Sequence, residues 1–214
     1  MKITKLEHSG LVVEENNKLV VFDPVEYTME LPELKNVTVI VLTHKHGDHL
    51  QIERLAKIVA ENPNVQIFTT ADTAPVLDTN WNVNVVKHGD TVEIEDFRLK
   101  FFGENHASIV PGVVPCQNIG AVVNDMVVNP GDSFDYLPID GRAKVLCVPV
   151  AAPWLKLSES MNYVRSTKPE NVVPMHDAVL SELGKTFNNN WIKMVCDEIG
   201  AECAALDPNE SLYI

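Results

Sequence analysis

Residues 38–42, Thr-Val-Ile-Val-Leu, make a nearly unbroken apolar, β-branched run. Such a run predicts a strand buried on both faces, which demands one layer of structure above it and another below. The next stretch of chain is opposite in character. Thr43-His44-Lys45-His46-Gly47-Asp48-His49 places three histidines and an aspartate within six residues. Beyond it, Ile52, Leu55, Ala56 and Val59 recur at i, i+3, i+4 and i+7, one stripe of a helix that Asn62-Pro63 ends. Strand, polar loop and helix together are the unit of a layered α/β fold. The loop then lies at a sheet edge, where functional groups collect.

The rest of the chain extends that pattern. Lys2–Leu6, Leu11–Val13 and Leu19–Phe22 predict short strands, the last two joined by a turn at Glu15-Asn16-Asn17. Val65–Thr69, Val83–Val86, Thr91–Ile94 and Phe97–Phe102 come next, with breaks at Gly89-Asp90 and Glu95-Asp96. Ile119–Val123 and Met126–Val128 flank a second hairpin turn at Asn124-Asp125, and Val145–Val150 is another buried strand. A helix is expected from Ser158, then a strand at Val172-Val173 leading into Pro174. Phe187, Trp191, Met194, Val195 and Ile199 predict one apolar helix face, with Gly200 as the terminating glycine. The two halves have similar strand-rich layouts, which suggests a structural duplication. No linker or low-complexity segment divides them, so residues 1–214 read as a single domain.

Thirty acidic residues against seventeen basic ones leave a net charge of −13 over 214 residues. That balance argues against a nucleic-acid partner, because phosphate binding needs a positive field. The longest apolar run, residues 37–42, falls far short of the roughly 20 residues of a membrane span, so no membrane is expected. No apolar segment backs the charged start Met1–Lys5 in the manner of a signal peptide. Cys116, Cys147, Cys196 and Cys203 lack paired spacing and are expected to be reduced, mostly buried thiols. The expected location is therefore cytoplasmic. The oligomeric state stays open, a homo-oligomer included.

The heptapeptide carries the chemistry. On an extended backbone His44 and His46 project the same way, so their imidazoles can grip one ion. Asp48 and His49 come a turn later, at the start of the helix, and point toward a neighbouring position. Imidazole and carboxylate are the ligands of zinc and its neighbours. A metal site needs further groups, and three lie just past strand ends: His106, Asp132 in Pro130-Gly131-Asp132-Ser133, and His176 in Met175-His176-Asp177. Three residues are candidates for a supporting layer. His8 either lines the site or sits exposed near a turn. Asp23 and Asp177 either hold the free nitrogen of a ligand histidine or belong to turns. Glu104 and Lys156 read as surface side chains, Trp154 and Trp191 as core or groove walls, and His88 as a turn residue.

With these motifs in their order, the chain resembles the metallo-β-lactamase-fold hydrolases over essentially its whole length. The resemblance implies a four-layer αβ/βα sandwich with metals at one edge between two sheets. It implies that His44, His46 and His106 hold one ion, that Asp48, His49 and His176 hold a second, and that Asp132 bridges them. An aspartate at the bridging position resembles the general hydrolase branches, not the lactamases with cysteine there. His8-Ser9-Gly10, Asp23-Pro24, Pro130–Ser133, Ala152-Pro153-Trp154 and His176-Asp177 look most like the ascorbate-phosphate-lactonase-like branch, without an inserted substrate domain. The cofactors expected are two divalent ions, zinc first and manganese second. They would share a hydroxide, with Asp48 and Asp132 as the catalytic carboxylates that orient it. The substrate expected is a small molecule with an ester, lactone or phosphoester bond. Five neutral imidazoles and two carboxylates leave a net positive charge with both ions bound, which favours an anionic one. The competing readings are a nuclease or phosphodiesterase of the same fold and a non-catalytic metal- or ligand-binding protein.

Overall fold

The computed structural model describes residues 1–137 and 142–214. The first sheet begins with the strands β1 (Lys2–Lys5), β2 (Leu11–Glu15) and β3 (Lys18–Phe22), paired antiparallel. Asn16 and Asn17 both take positive φ (50° and 61°) between β2 and β3, the geometry that suits the twist of a two-residue hairpin. The next strands run parallel: β4 (Val37–Val41), β5 (Gln66–Thr69) and β6 (Val83–Val85). Helix α1 (Ile52–Glu61) is the crossover from β4 to β5.

The second sheet repeats this plan. Antiparallel β7 (Thr91–Ile94), β8 (Phe97–Phe102), β9 (Gly120–Val123) and β10 (Val127–Asn129) lead to parallel β11 (Val145–Pro149), β12 (Asn171–Met175) and β13 (Glu202–Cys203). Helices α2 (Leu157–Thr167) and α3 (Glu182–Ile199) cross over on either side of β12. The last strand, β14 (Ser211–Tyr213), returns to the first sheet and pairs antiparallel with β1. Among the described residues each sheet thus has seven strands, in the orders β14-β1-β2-β3-β4-β5-β6 and β13-β12-β11-β10-β9-β8-β7.

Three apolar layers hold the sandwich. Val13, Phe22, Val39 and Val41 face Phe97, Leu99, Ala121 and Val173 between the sheets. Val21, Ile40 and Ile67 pack under Leu55 and Ile58 of α1 on one outer face. Val122, Leu146 and Val172 pack under Val164, Ile192 and Val195 of α2 and α3 on the other. Residues of β4 alternate between the first two layers, so both faces of the run from residue 38 are covered, as its composition requires.

Three expectations change. Phe187, Trp191 and Met194 do not form the buried face of α3; they are 59%, 41% and 44% exposed. Ile192, Val195 and Cys196 are the residues that reach the sheet. The helix carries two apolar stripes, both helical in period, and only contact with β12 selects between them. On α1, Ile52 is exposed and Ile58 takes its place against the sheet. Asp48 and His49 precede the helix in a turn closed by His49 N–H donating to the His46 carbonyl (2.9 Å). Among the described residues, no helix is long and apolar enough to cross a membrane.

Candidate metal centre

Strand and turn ends of the two sheets deliver side chains to one edge. The turn after β1 carries His8, the end of β3 carries Asp23, and the end of β4 carries residues 43–49. From the second sheet, the end of β8 leads to His106, the end of β10 to Asp132 and the end of β12 to His176. Three groups result in which every ligand atom lies within 4.8 Å of the others: His44 with His46 and His106, His44 with His49 and Asp132, and His8 with Asp48 and His176.

The seven residues expected to hold metal therefore converge. Asp132 touches both sides of the cluster: Oδ1 lies 3.3 Å from His49 Nε2, and Oδ2 lies 3.4 Å from His106 Nε2 and 3.3 Å from His176 Nε2. His176 Nε2 is 3.5 Å from Asp48 Oδ2 and 3.2 Å from His49 Nε2. Backbone geometry sets these directions. His176 and His8 adopt positive φ (62° and 57°), uncommon for residues with a Cβ. At Gly131 (φ 61°) an added Cβ would lie 2.4 Å from Asn118 Oδ1 and 2.9 Å from Thr43 Cβ, so only glycine fits. Asn118 clamps that turn, donating to the Pro130 carbonyl (2.9 Å) and accepting from Asp132 N–H (3.0 Å).

The supporting residues resolve differently. Asp23 accepts from Thr43 N–H (2.8 Å), from the Thr43 hydroxyl (2.7 Å) and from His49 Nδ1 (2.8 Å). It thereby sets the His49 ring, one of the two roles open to it from sequence. His8 is buried and lines the site, its ring centroid 3.8 Å from that of His176. Asp177 takes the turn role, its carbonyl accepting Leu180 N–H (3.0 Å), and holds no ligand histidine. Its carboxylate accepts from Lys5 Nζ at 2.6 Å, a pair buried on both sides, because a lysine interred in a strand needs a counter-charge. Trp154 is more than a wall: its indole Nε1–H donates to Asp132 Oδ2 at 2.7 Å. The tripeptide Ala152-Pro153-Trp154 marked that position in the sequence without showing what the indole would touch. Lys156 and Glu104 are both exposed at the surface. His88 packs at a tilt against the Tyr136 ring and accepts from Gly103 N–H (3.2 Å). Cys116 brings its Sγ to 3.6 Å from His46 Nε2.

The donor set suits divalent cations. Among the described residues, the buried side-chain polar atoms without a hydrogen-bond partner include His8 Nε2, His44 Nε2, His106 Nε2 and Asp132 Oδ1. Buried polar atoms normally find partners, so four orphans at one edge mark a place built for a further group. The electrostatics agree. Burial and the charge of His49 push His44 well below the usual imidazole range, and burial with His106 lowers His46. Burial also opposes charge on His49, but Asp132 and Asp23 outweigh it and raise that ring to about 10. His176 is raised to about 9 against its burial by Asp132 and Asp48. Asp48 and Asp132 stay ionised far below the usual range; burial resists this, but the surrounding histidines dominate. The chain alone thus retains positive charge between two carboxylates.

Comparison with known proteins bears on the family and the fold. Protein Rv0786c of Mycobacterium tuberculosis is 30% identical over 186 residues, 85% of this chain and 86% of that one. The UPF0173 metal-dependent hydrolase MJ1163 of Methanocaldococcus jannaschii is 28% identical over 155 residues, 67% of this chain and 68% of its own. Among solved structures, Igni18, a metallo hydrolase from Ignicoccus hospitalis, superposes with a TM-score of 0.73 at 19% identity, covering 99% of this chain and 97% of that chain. The family profile described as the beta-lactamase superfamily domain matches residues 2–176, from the first strand to the last histidine of the cluster. With that match across both sheets, the chain belongs to the beta-lactamase superfamily and has the metallo-β-lactamase fold.

Proposed function

We propose that this chain is a metal-dependent hydrolase acting on a small-molecule ester, lactone or phosphoester. The observation that carries the reading is the convergence of seven imidazole and carboxylate side chains, several of them orphaned, on one sheet edge. The relatives named as metal-dependent hydrolases support it. His44, His46 and His106 would hold one ion, Asp48, His49 and His176 the other, and Asp132 would stand between them. When bound, the two ions supply a hydroxide nucleophile at neutral pH and polarise the oxygen of the bond attacked.

The chain's own residues do the rest. Asp23 orients His49 directly and His44 through the Thr43 hydroxyl, which lies 3.0 Å from His44 Nδ1. Trp154 fixes one oxygen of Asp132 and leaves Oδ1 without a hydrogen-bond partner. Asp48, one third exposed, stands on the open side and can orient a nucleophile there. A groove of about 450 Å³, lined by Lys87, His88, Glu104, Asn105 and Gln117 among others, includes the residue before His106 and is sized for a small molecule. Five nitrogen ligands make zinc the first choice of metal and manganese the second. Two ions against two ligating carboxylates leave positive charge that favours an anionic substrate, as in the ascorbate-phosphate-lactonase-like branch.

The test is metal content per chain, by mass spectrometry on untagged protein purified without chelator, for wild type and His46→Ala. The expected result is about two ions in wild type and loss of at least one in the variant. The metal so identified then goes into an assay panel of esters, lactones and phosphodiesters. No metal in wild type, even after incubation with zinc or manganese, overturns the reading.

A further inference from the structure

Apart from His46, the ring nitrogens of the cluster separate its histidines into two kinds. In four of them Nδ1 faces a group that accepts. His49 Nδ1 meets the Asp23 carboxylate (2.8 Å), His176 Nδ1 the Ala151 carbonyl (2.6 Å) and His106 Nδ1 the Ala107 carbonyl. His44 Nδ1 meets the Thr43 hydroxyl, whose single proton already goes to Asp23. Each of these rings therefore keeps a proton on Nδ1 and would present Nε2 to a metal, His49 and His176 on giving up the second proton that they hold in the metal-free chain.

His8 is inverted. Its Nδ1 receives the backbone N–H of Ala178 at 3.2 Å. A backbone N–H can only donate, so Nδ1 is bare and the neutral ring holds its proton on Nε2. The arrangement is fixed from both sides, because His176 N–H also donates to the His8 carbonyl (2.8 Å). Among the described residues, Nε2 is buried without a hydrogen-bond partner and lies 3.7 Å from Asp48 Oδ2. The next residue, Ser9, donates its hydroxyl to the Asp48 carbonyl at 2.7 Å. Two consecutive residues of the β1–β2 turn thus address Asp48, one its backbone and one its carboxylate.

We infer that His8 is not a metal ligand, although it lies with Asp48 and His176 at ligand spacing, but a neutral ring whose Nε2–H faces the Asp48 carboxylate and positions it electrostatically. Its consequence for metal binding rests on the reading of Asp48 as a ligand; the state of the His8 ring does not. A protonated Nε2 cannot bind an ion through that nitrogen, and turning the ring over would set the Cδ2–H against the Ala178 N–H, leaving that donor without its acceptor. His8 is accordingly a positioning residue.

Two measurements test this. Long-range proton–nitrogen correlation spectra of nitrogen-15 histidine-labelled protein, zinc-loaded and after chelation, report each ring's tautomer. His8→Gln assigns the His8 ring by its disappearance. The expected result is Nε2–H on His8 in both states, with its nitrogens unmoved by zinc while the ligand rings shift. An Nδ1–H tautomer, or a zinc-induced shift of a His8 nitrogen to ligand values, overturns the proposal. Zinc competition titrations supply the second readout. His8→Phe should keep a two-ion stoichiometry at saturating zinc but weaken the second ion about 10- to 100-fold. His8→Gln, which restores an N–H donor, should recover most of that loss. Loss of one ion from both variants, or unchanged affinity in His8→Phe, overturns it. If wild type takes up no zinc, the hydrolase reading falls, and the spectrum of the chelated protein still decides the His8 tautomer.

Discussion

Asp23 has no oxygen to spare: one carboxylate atom receives Thr43 N–H and the other receives the Thr43 hydroxyl and His49 Nδ1. An amide in its place must turn its NH₂ toward a donor on one side or the other. Asp23→Asn is therefore expected to destabilise the chelated chain by about 2 kcal/mol, the scale of lost hydrogen bonds to a charged group. It should also weaken zinc binding about 10- to 100-fold, since His49 loses the acceptor that fixes its tautomer. Urea unfolding and zinc competition check the two parts; a variant with wild-type affinity would show that Asp23 only closes the turn. The Lys5–Asp177 pair is the contrasting case at this scale. It neutralises a buried ammonium and reaches no ligand, so adjacency to His176 in sequence was a poor guide to its partner.

At the scale of elements, the turns obey their residues closely. Asn16-Asn17 and Asn124-Asp125 all take positive φ, as short polar side chains tolerate, and both hairpins form where those pairs stand. Helix α3 shows the limit. Its period is plain, yet Phe187, Trp191 and Met194 face outward while Ile192 is fully buried. Ile192→Ala is expected to cost about 3 kcal/mol through the cavity it leaves under the second sheet. Phe187→Ala should cost less than about 1 kcal/mol, because its ring stays in water in the folded state. Equal losses in urea unfolding would mean that the outer stripe is covered in solution. Strands β13 and β14 carry no such period at two and three residues, and only their partners β12 and β1 make them strands.

For the whole molecule, the same charges that suit a metal shape stability in its absence. His49 and His176 have folded-state values raised to about 10 and about 9 from an ordinary 6.5. A raised value contributes stability that is complete below about 6.5 and is lost as pH climbs through the folded value. His8, His44 and His46 are lowered, so they disfavour the fold only below about 6.5. The chelated protein is expected to be most stable near pH 6.5 and to lose on the order of 3 kcal/mol by about pH 9.5. Zinc binds the deprotonated rings, so the loaded protein should hold its stability over that range. Urea midpoints at several pH values, with and without chelator, check this; a chelated protein whose midpoint rises with pH contradicts it.

The sequence by itself determined what neighbours along the chain decide. A β-branched run that needs cover on both faces, a heptapeptide rich in ligand side chains, and turn residues that accept positive φ act within a few residues of one another. Together with the resemblance carried by the motif order, they were enough to place the layered α/β fold and the seven converging ligand candidates. Tertiary structure decided which atoms meet across long separations. His176 reaches His49 across 127 residues, Ala178 caps the His8 ring across 170, and Trp154 finds Asp132 across 22. No local pattern encodes those distances, because a ring's proton, a buried lysine's counter-charge and a helix's inward face are each set by whatever the other sheet presents.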